Sequence, residues 1–175
     1  MTVVFVGGVH GVGKSTYCAE VAQATGCLHV TASAIIRRER AEAIAASGKL
    51  VADVEGNQSL LIRGVRSLRS EMGATSILLD GHFAMRDGGG HIQAVAVDVF
   101  RALGIGHLVC LADEPHLIAA RMAQRDGETP TERDIAVLQD AELKNARLVA
   151  AVLGMPFTLL RSAHREGLRR LVPPD

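Results

Sequence analysis

"TVVFVGGVHGVGKST", residues 2–16, begins as an apolar run rich in β-branched residues and ends in a glycine-punctuated loop, a lysine and two hydroxyl residues. A short unbroken apolar run closed by glycines predicts a strand over 2–7, "TVVFVG", buried on both faces as in a parallel sheet. Gly8 to Ser15 then fits G-x-x-x-x-G-K-[ST] at every fixed position, between a strand and a helix, which is the context that gives the pattern its meaning. Gly8, Gly11 and Gly13 let the backbone turn so that successive N–H groups, with those of Val12 and Thr16, face phosphate oxygens at a helix N-terminus. Lys14 is placed to reach β and γ oxygens and Ser15 to put its hydroxyl on Mg²⁺, so the stretch implies a nucleoside triphosphate, ATP, with Mg²⁺. His10 occupies a variable position and reads as a loop residue rather than a base.

Working outward, the pattern alternates. A helix is expected from Lys14 to about Thr25, stopped by Gly26, then a strand "CLHV" (27–30), a helix from about Ser33 to Ala46, and another from Asn57 to about Ser70 with Leu60, Leu61, Gly64 and Leu68 at helical spacing. "SILLD" (76–80) and "HLVCLA" (107–112) repeat the buried-strand pattern. Glu114 to Arg125 reads as a helix broken by "DGETP" (126–130), and a long helix over 132–153 closes at Gly154 before the last strand, "PFTLLR" (156–161). "RDGGGH" (86–91) reads as a surface loop or hairpin, and the tail from Ser162 as a loop with a short helix and a frayed end. Five apolar strands alternating with helices predict one three-layer α/β domain over 1–175, with a mostly parallel sheet covered on both faces.

Composition narrows the function. Nearly half of the residues are apolar and only 3% are aromatic, so the core is built from aliphatic side chains. Formal net charge is zero, which argues against bulk attraction to nucleic acid or an anionic membrane and makes any phosphate site local. Cys18, Cys27 and Cys110 lie in apolar contexts without C-x-x-C spacing and read as reduced core residues. No apolar run reaches the roughly 18 residues of a membrane span, and a soluble, cytoplasmic protein is expected.

Asp80 ends an apolar strand, where a carboxylate can hold magnesium through water beside Ser15. His82, two residues on, faces the same crevice if the strand stops at Asp80. It is placed to bind an acceptor phosphate, to orient a nucleophile or water, or simply to pack.

With these residues in view the chain resembles the nucleoside monophosphate kinases, especially the archaeal-type adenylate kinases and their adenylate kinase-like relatives, along most of its length. "GGVHGVGKST" resembles their phosphate loop, "LLDGH" the segment after their third strand, and "AELKNARLVAAVLGMPFTLL" their long helix and last strand. "VTASAIIR" is similar to the segment holding the acceptor phosphate, which implies that role for Thr31 and Arg37 within acceptor helices at about 31–72. "RMAQR" resembles the start of the lid, here short at about 125–134; the resemblance implies that Arg121 stacks on adenine and that Arg125, Arg133 and Arg147 meet phosphates. No metal other than Mg²⁺ is implied. Arg63 and Arg66 are open as phosphate contacts, and Arg86 as a substitute for the arginine that bacterial members carry after the third strand.

The function that follows is transfer of the ATP γ-phosphoryl group to a nucleoside monophosphate, AMP first. Lys14, Asp80, His82, Arg125 and Arg133 form the catalytic set, and a small phosphorylated acceptor is the partner. An accessory or switch ATPase working with a macromolecular partner is the alternative. A kinase for another small acceptor, such as a sugar acid or shikimate-like hydroxy acid, ranks third because "VTASAIIR" lacks an aspartate to hold hydroxyls; polynucleotide ends rank with it, for want of a basic groove.

Overall fold

The computed structural model describes residues 2–47, 56–73, 75–126, 130–161 and 166–172. Five strands form one parallel sheet: β1 (Val3–Gly7), β2 (Leu28–Thr31), β3 (Ile77–Asp80), β6 (His107–Ala112) and β7 (Phe157–Arg161). Their order is β2-β3-β1-β6-β7. The helices are α1 (Lys14–Thr25), α2 (Ala32–Ser47), α3 (Asn57–Met72), α4 (Val97–Leu103), α5 (Pro115–Asp126), α6 (Glu132–Leu153) and α7 (Glu166–Leu171). The five expected strands and the long helix over 132–153 are therefore present within a residue or two at their ends.

Alternation along β1 sorts the core into two layers, because successive side chains of a strand point to opposite faces. Val3 and Phe5 pack with Ile77, Leu79 and Leu108 under α3, α4 and α6. Val4 and Val6 pack with Leu78, Val109 and Leu111 under α1 and α5, with Leu168 of α7 joining them. Three of the chain's four phenylalanines meet in the first layer, Phe5 lying 4.9 Å from Phe83 and 5.1 Å from Phe100 between ring centroids. Phe83 comes so close to β1 that a Cβ on Gly7 would stand 2.3 Å from its ring.

Several differences from the sequence pattern have physical causes. β2 runs one residue further than expected, to Thr31, which also accepts the Ala34 N–H on Oγ1 at 3.1 Å and so starts α2 as its side-chain cap. "RDGGGH" lies in a two-stranded antiparallel hairpin, β4 (Ala84–Arg86) with β5 (Ile92–Ala94), where Asp87 Oδ1 accepts the N–H groups of Gly89 and His91. α4, of seven residues, is too short to show a period and stands on Val99, Phe100 and Leu103 buried in the core. Residues 48–55 of the expected acceptor region, 127–129 of the expected lid, and 162–165 and 173–175 of the expected tail lie outside the described residues. Parallel pairing sets Thr31 and Val6 each opposite Asp80. That register brings the ends of β2 and β3 level with the start of the phosphate loop, at the edge of the sheet where ligands of open α/β folds bind.

Candidate active site

The loop after β1 has its glycines where the backbone needs them: φ is 140° at Gly8, 78° at Gly11 and 103° at Gly13, values that L side chains seldom adopt. Val12 is buried beneath the loop, and Thr16 lies exposed in the first turn of α1. That first turn has no acidic residue and no side-chain cap, so its N–H groups are open to an anion. Lys14 is 7% exposed and donates from Nζ to the carbonyls of Gly8 at 2.6 Å and Val9 at 3.1 Å. Burial pulls its pKa down, against the opposing pull of Asp80 and Glu142.

Ser15 Oγ donates to Asp80 Oδ2 at 2.6 Å. Burial works to raise the Asp80 pKa, but His29, Ser15 and Lys14 together outweigh it and hold the carboxyl below its usual range. His29 Nε2 stands 3.9 Å from Asp80 Oδ2. That is too long for a hydrogen bond, and the buried nitrogen has no hydrogen-bond partner among the described residues.

His82 is anchored by a residue the sequence pattern does not single out. Its Nδ1 lies 2.7 Å from Oε1 of Glu142, a side chain on α6 with no solvent exposure. Glu142 Oε2 accepts the N–H of Phe83 at 2.5 Å and of Ala84 at 3.2 Å. One turn on, Asn145 Nδ2 donates to the carbonyls of Phe83 at 2.7 Å and Val95 at 2.9 Å. A carboxylate is tolerated at full burial only when donors surround it, and here the loop from β3 to β4 provides them.

A cavity of about 560 Å³ opens between the phosphate loop and α2–α3. Lys14, Ser15, Asp80 and His82 line its inner end, with His10 beside them; Thr31, Ser33, Arg37, Arg40, Asn57 and Gln58 give it polar groups further out. Phe5, Ile36, Leu61, Val99 and Phe100 form apolar wall. Arg40 is tied to Asn57 Oδ1 at 2.8 Å. Arg37 has no hydrogen bond or ion pair among the described residues and leaves its guanidinium available to a ligand.

The structure thus brings Thr31 and Arg37 to the cavity with Lys14, Ser15, Asp80 and His82. The remaining arginines divide. Arg125 reaches the phosphate loop, its Nη2 standing 2.5 Å from His10 Nε2. Arg121 donates to Asp113 Oδ2 at 2.7 Å, just past β6. Arg133, in the first turn of α6, and Arg147, further along it, are exposed and do not line the cavity. Arg63 is engaged by the buried Glu39 at 2.7 Å, Arg66 lines a separate cleft beside α4, and Arg86 bonds the Gly90 carbonyl across the hairpin. Sequence reasoning misses Glu142, Asn145 and His29. For the first two the available signal is "ELKN", two polar residues three apart on the face of α6 that must be buried.

The profile of the AAA domain family matches residues 7–139, from the end of β1 well into α6. The chain belongs to that family. No curated protein matches the sequence. Among solved structures it is similar to an unliganded sugar kinase from Janibacter sp., at 19% identity and a TM-score of 0.56, with 98% of this chain and 91% of that one covered. It is also similar to a shikimate kinase from Acinetobacter baumannii in complex with shikimate, at 18% identity and a TM-score of 0.56, covering 98% and 90%. At such identities the likeness shows the fold, the three-layer α/β arrangement of the P-loop kinases, and leaves the acceptor open. Among the described residues no helix is long and apolar enough to cross a membrane.

Proposed function

We propose that the protein is a Mg-ATP-dependent phosphotransferase that passes the γ-phosphoryl group to a small anionic acceptor. The observation that carries this reading is that one cavity joins Lys14, Ser15 and Asp80 to the guanidinium of Arg37. Phosphoryl transfer asks little covalent chemistry of a protein; positioning and charge neutralisation carry the rate. Nucleotide phosphates lie along the N–H groups of the loop, and Lys14 exchanges its two carbonyl partners for β and γ oxygens. Thr31 and Arg37 hold the acceptor. Arg125, already at the loop through His10, closes over the phosphates together with Arg121 and Arg133, and excludes the water that would turn a kinase into an ATPase.

The residues fit magnesium. Ser15 and Asp80 offer two hard oxygens in direct contact, and Asp80 stays ionised. Among the described residues no group of three or more His, Cys, Asp and Glu could hold a metal alone, so the nucleotide itself would complete the shell. Bound there, the ion would neutralise charge on the β and γ phosphates.

Two acceptor classes suit the cavity. A nucleoside monophosphate, AMP first, is what the resemblance to adenylate kinases implies, with its phosphate on Arg37 and its base against the apolar wall. A carboxylic acid carrying hydroxyl groups would use the same arginine and the polar groups of Ser33, Asn57 and Gln58. Three buried thiols outside any disulfide suit a reducing compartment, the cytoplasm.

The test is incubation of purified protein with Mg-ATP and each acceptor, with ADP and product separated by chromatography. Acceptor-dependent ADP is the expected result, lost in Lys14→Ala. ADP and phosphate released without any acceptor, and stimulated by a protein partner, would replace the kinase reading with an accessory ATPase.

A further inference from the structure

We propose that His82, held by Glu142, takes the proton of an acceptor hydroxyl, so that the acceptor is an anionic hydroxyl-bearing small molecule rather than a nucleoside monophosphate. The inference rests on the phosphotransferase reading and names its substrate class. Glu142 is buried without exposure, gives Oε2 to two backbone N–H groups, and presents Oε1 to His82 Nδ1 at 2.7 Å. The two N–H groups occupy Oε2 and leave Oε1 to the ring, and a carboxylate has only acceptors to offer there. Nδ1 therefore carries the hydrogen, and Nε2 keeps its lone pair. The side chain is 30% exposed and lines the cavity it shares with Lys14 and Arg37.

A lone pair at that place serves only a group that still has a proton to give. A monophosphate at neutral pH is already an oxyanion; it needs no proton acceptor and would set a negative oxygen against the lone pair. An alcohol keeps its proton until it attacks. In the step, the hydroxyl O–H bond breaks and its proton passes to Nε2. Its oxygen bonds to the γ-phosphorus, and the bond from that phosphorus to the bridging oxygen breaks, the electron pair leaving with ADP. The imidazolium formed lies against Glu142 and gives its proton to solvent afterwards. Arg37 holds the anionic group of the same molecule, which is why a neutral alcohol is not the class inferred.

Two measurements test this. ¹⁵N NMR of histidine-labelled protein should find neutral His82 as the Nδ1–H tautomer; the Nε2–H form would overturn the proposal. A screen with Mg-ATP against shikimate, glycerate and a set of aldonates, beside the four common nucleoside monophosphates, should give ADP and an acid-stable phosphate ester with a hydroxy acid. On that substrate His82→Gln should lower kcat by about 10²-fold or more, the usual share of a positioned proton acceptor, with KM for ATP unchanged. Glu142→Gln leaves one oxygen to serve either the ring or the two N–H groups, so it should lower kcat likewise and disturb the His82 tautomer signal. Should that variant fail to fold, His82→Gln on the part-exposed ring still decides. Turnover of monophosphates but no hydroxy acid refutes the inference and leaves the phosphotransferase standing; no acceptor-dependent ADP with either set refutes both.

Discussion

Asn145→Ala tests whether α6 holds the loop that carries His82. The amide is buried, and its Nδ2 donates to two carbonyls that are not equivalent. Phe83 O also accepts the Val95 N–H at 2.8 Å. Losing the amide therefore removes one of its two bonds, roughly 0.5–1.5 kcal/mol. Val95 O depends on Asn145, and leaving a part-buried carbonyl bare costs about 1–3 kcal/mol. Together the truncation should cost about 2–4 kcal/mol, read in urea as a lower midpoint at unchanged slope. Asn145→Asp is the sharper control. It keeps the shape but sets carboxylate oxygens against both carbonyls, so it should destabilise more than alanine does. Because Glu142 stands one turn away on the same face, kcat should fall in both variants while ATP affinity holds. An Asp variant as stable as the parent, or an alanine variant within about 0.5 kcal/mol of it, would refute the reasoning.

Gly11→Ala should weaken Mg-ATP binding in calorimetry and lower the melting temperature. The left-handed backbone alone costs an L residue about 1–2 kcal/mol, and the new Cβ would stand 2.5 Å from Met122 Cγ. Acid should destabilise the protein in two windows, followed by thermal melting against pH. His107 is held below its ordinary value of 6.5 by burial. It contributes no penalty above that value and a growing one as pH falls below it, a limb that His107→Gln should flatten. Asp80 is held below 3.8; the stabilisation from its partners is present above that value and is lost as pH falls through the lowered one, so Asp80→Asn should blunt only this second limb. Burial pushes the Cys110 thiol up to about 12 and that of Cys18 higher still. Iodoacetamide at neutral pH should therefore label the cysteines only after unfolding, and fast labelling of native protein would contradict their burial.

Legibility in the sequence followed the range of the interactions. The phosphate loop was legible because its chemistry is local: glycines, lysine and serine work through backbone geometry within eight residues, and the flanking apolar run and helix are read from the same stretch. The three inner strands were legible because both their faces are buried and their residues are nearly all apolar. α4 was not, since seven residues cannot establish a period. The resemblance implies an acceptor role for Thr31, whereas its place at the end of β2 and as the cap of α2 emerges only from hydrogen bonds. The arginines were the least legible of the expected set. Helical spacing puts Arg121 and Arg125 on one face, but the partner each finds, Asp113 or His10, is a matter of tertiary placement.

The same limit explains Glu142, and shows what a helix pattern conceals. Periodicity assigns the polar residues of α6 to water, yet Gln139, Glu142 and Asn145 follow one another at intervals of three, a spacing that keeps them on neighbouring parts of one helix face. Gln139 bonds the end of β6, and Glu142 and Asn145 both bond the loop after β3. Gln139 exchanges two hydrogen bonds with the backbone of Asp113, just past β6. Glu142 takes the loop after β3 together with His82, and Asn145 takes Phe83 and Val95 on either side of the hairpin. Had these residues served α6 alone, alanine would serve it better. Glu142 and Asn145 are buried and Gln139 is half-buried, and together they tie α6 to the strand tips that carry Asp80 and Asp113 and so hold the spacing between those tips. Substitutions along this row should then act on kcat together and non-additively, unlike substitutions on the exposed face of the same helix at Leu148 or Val152.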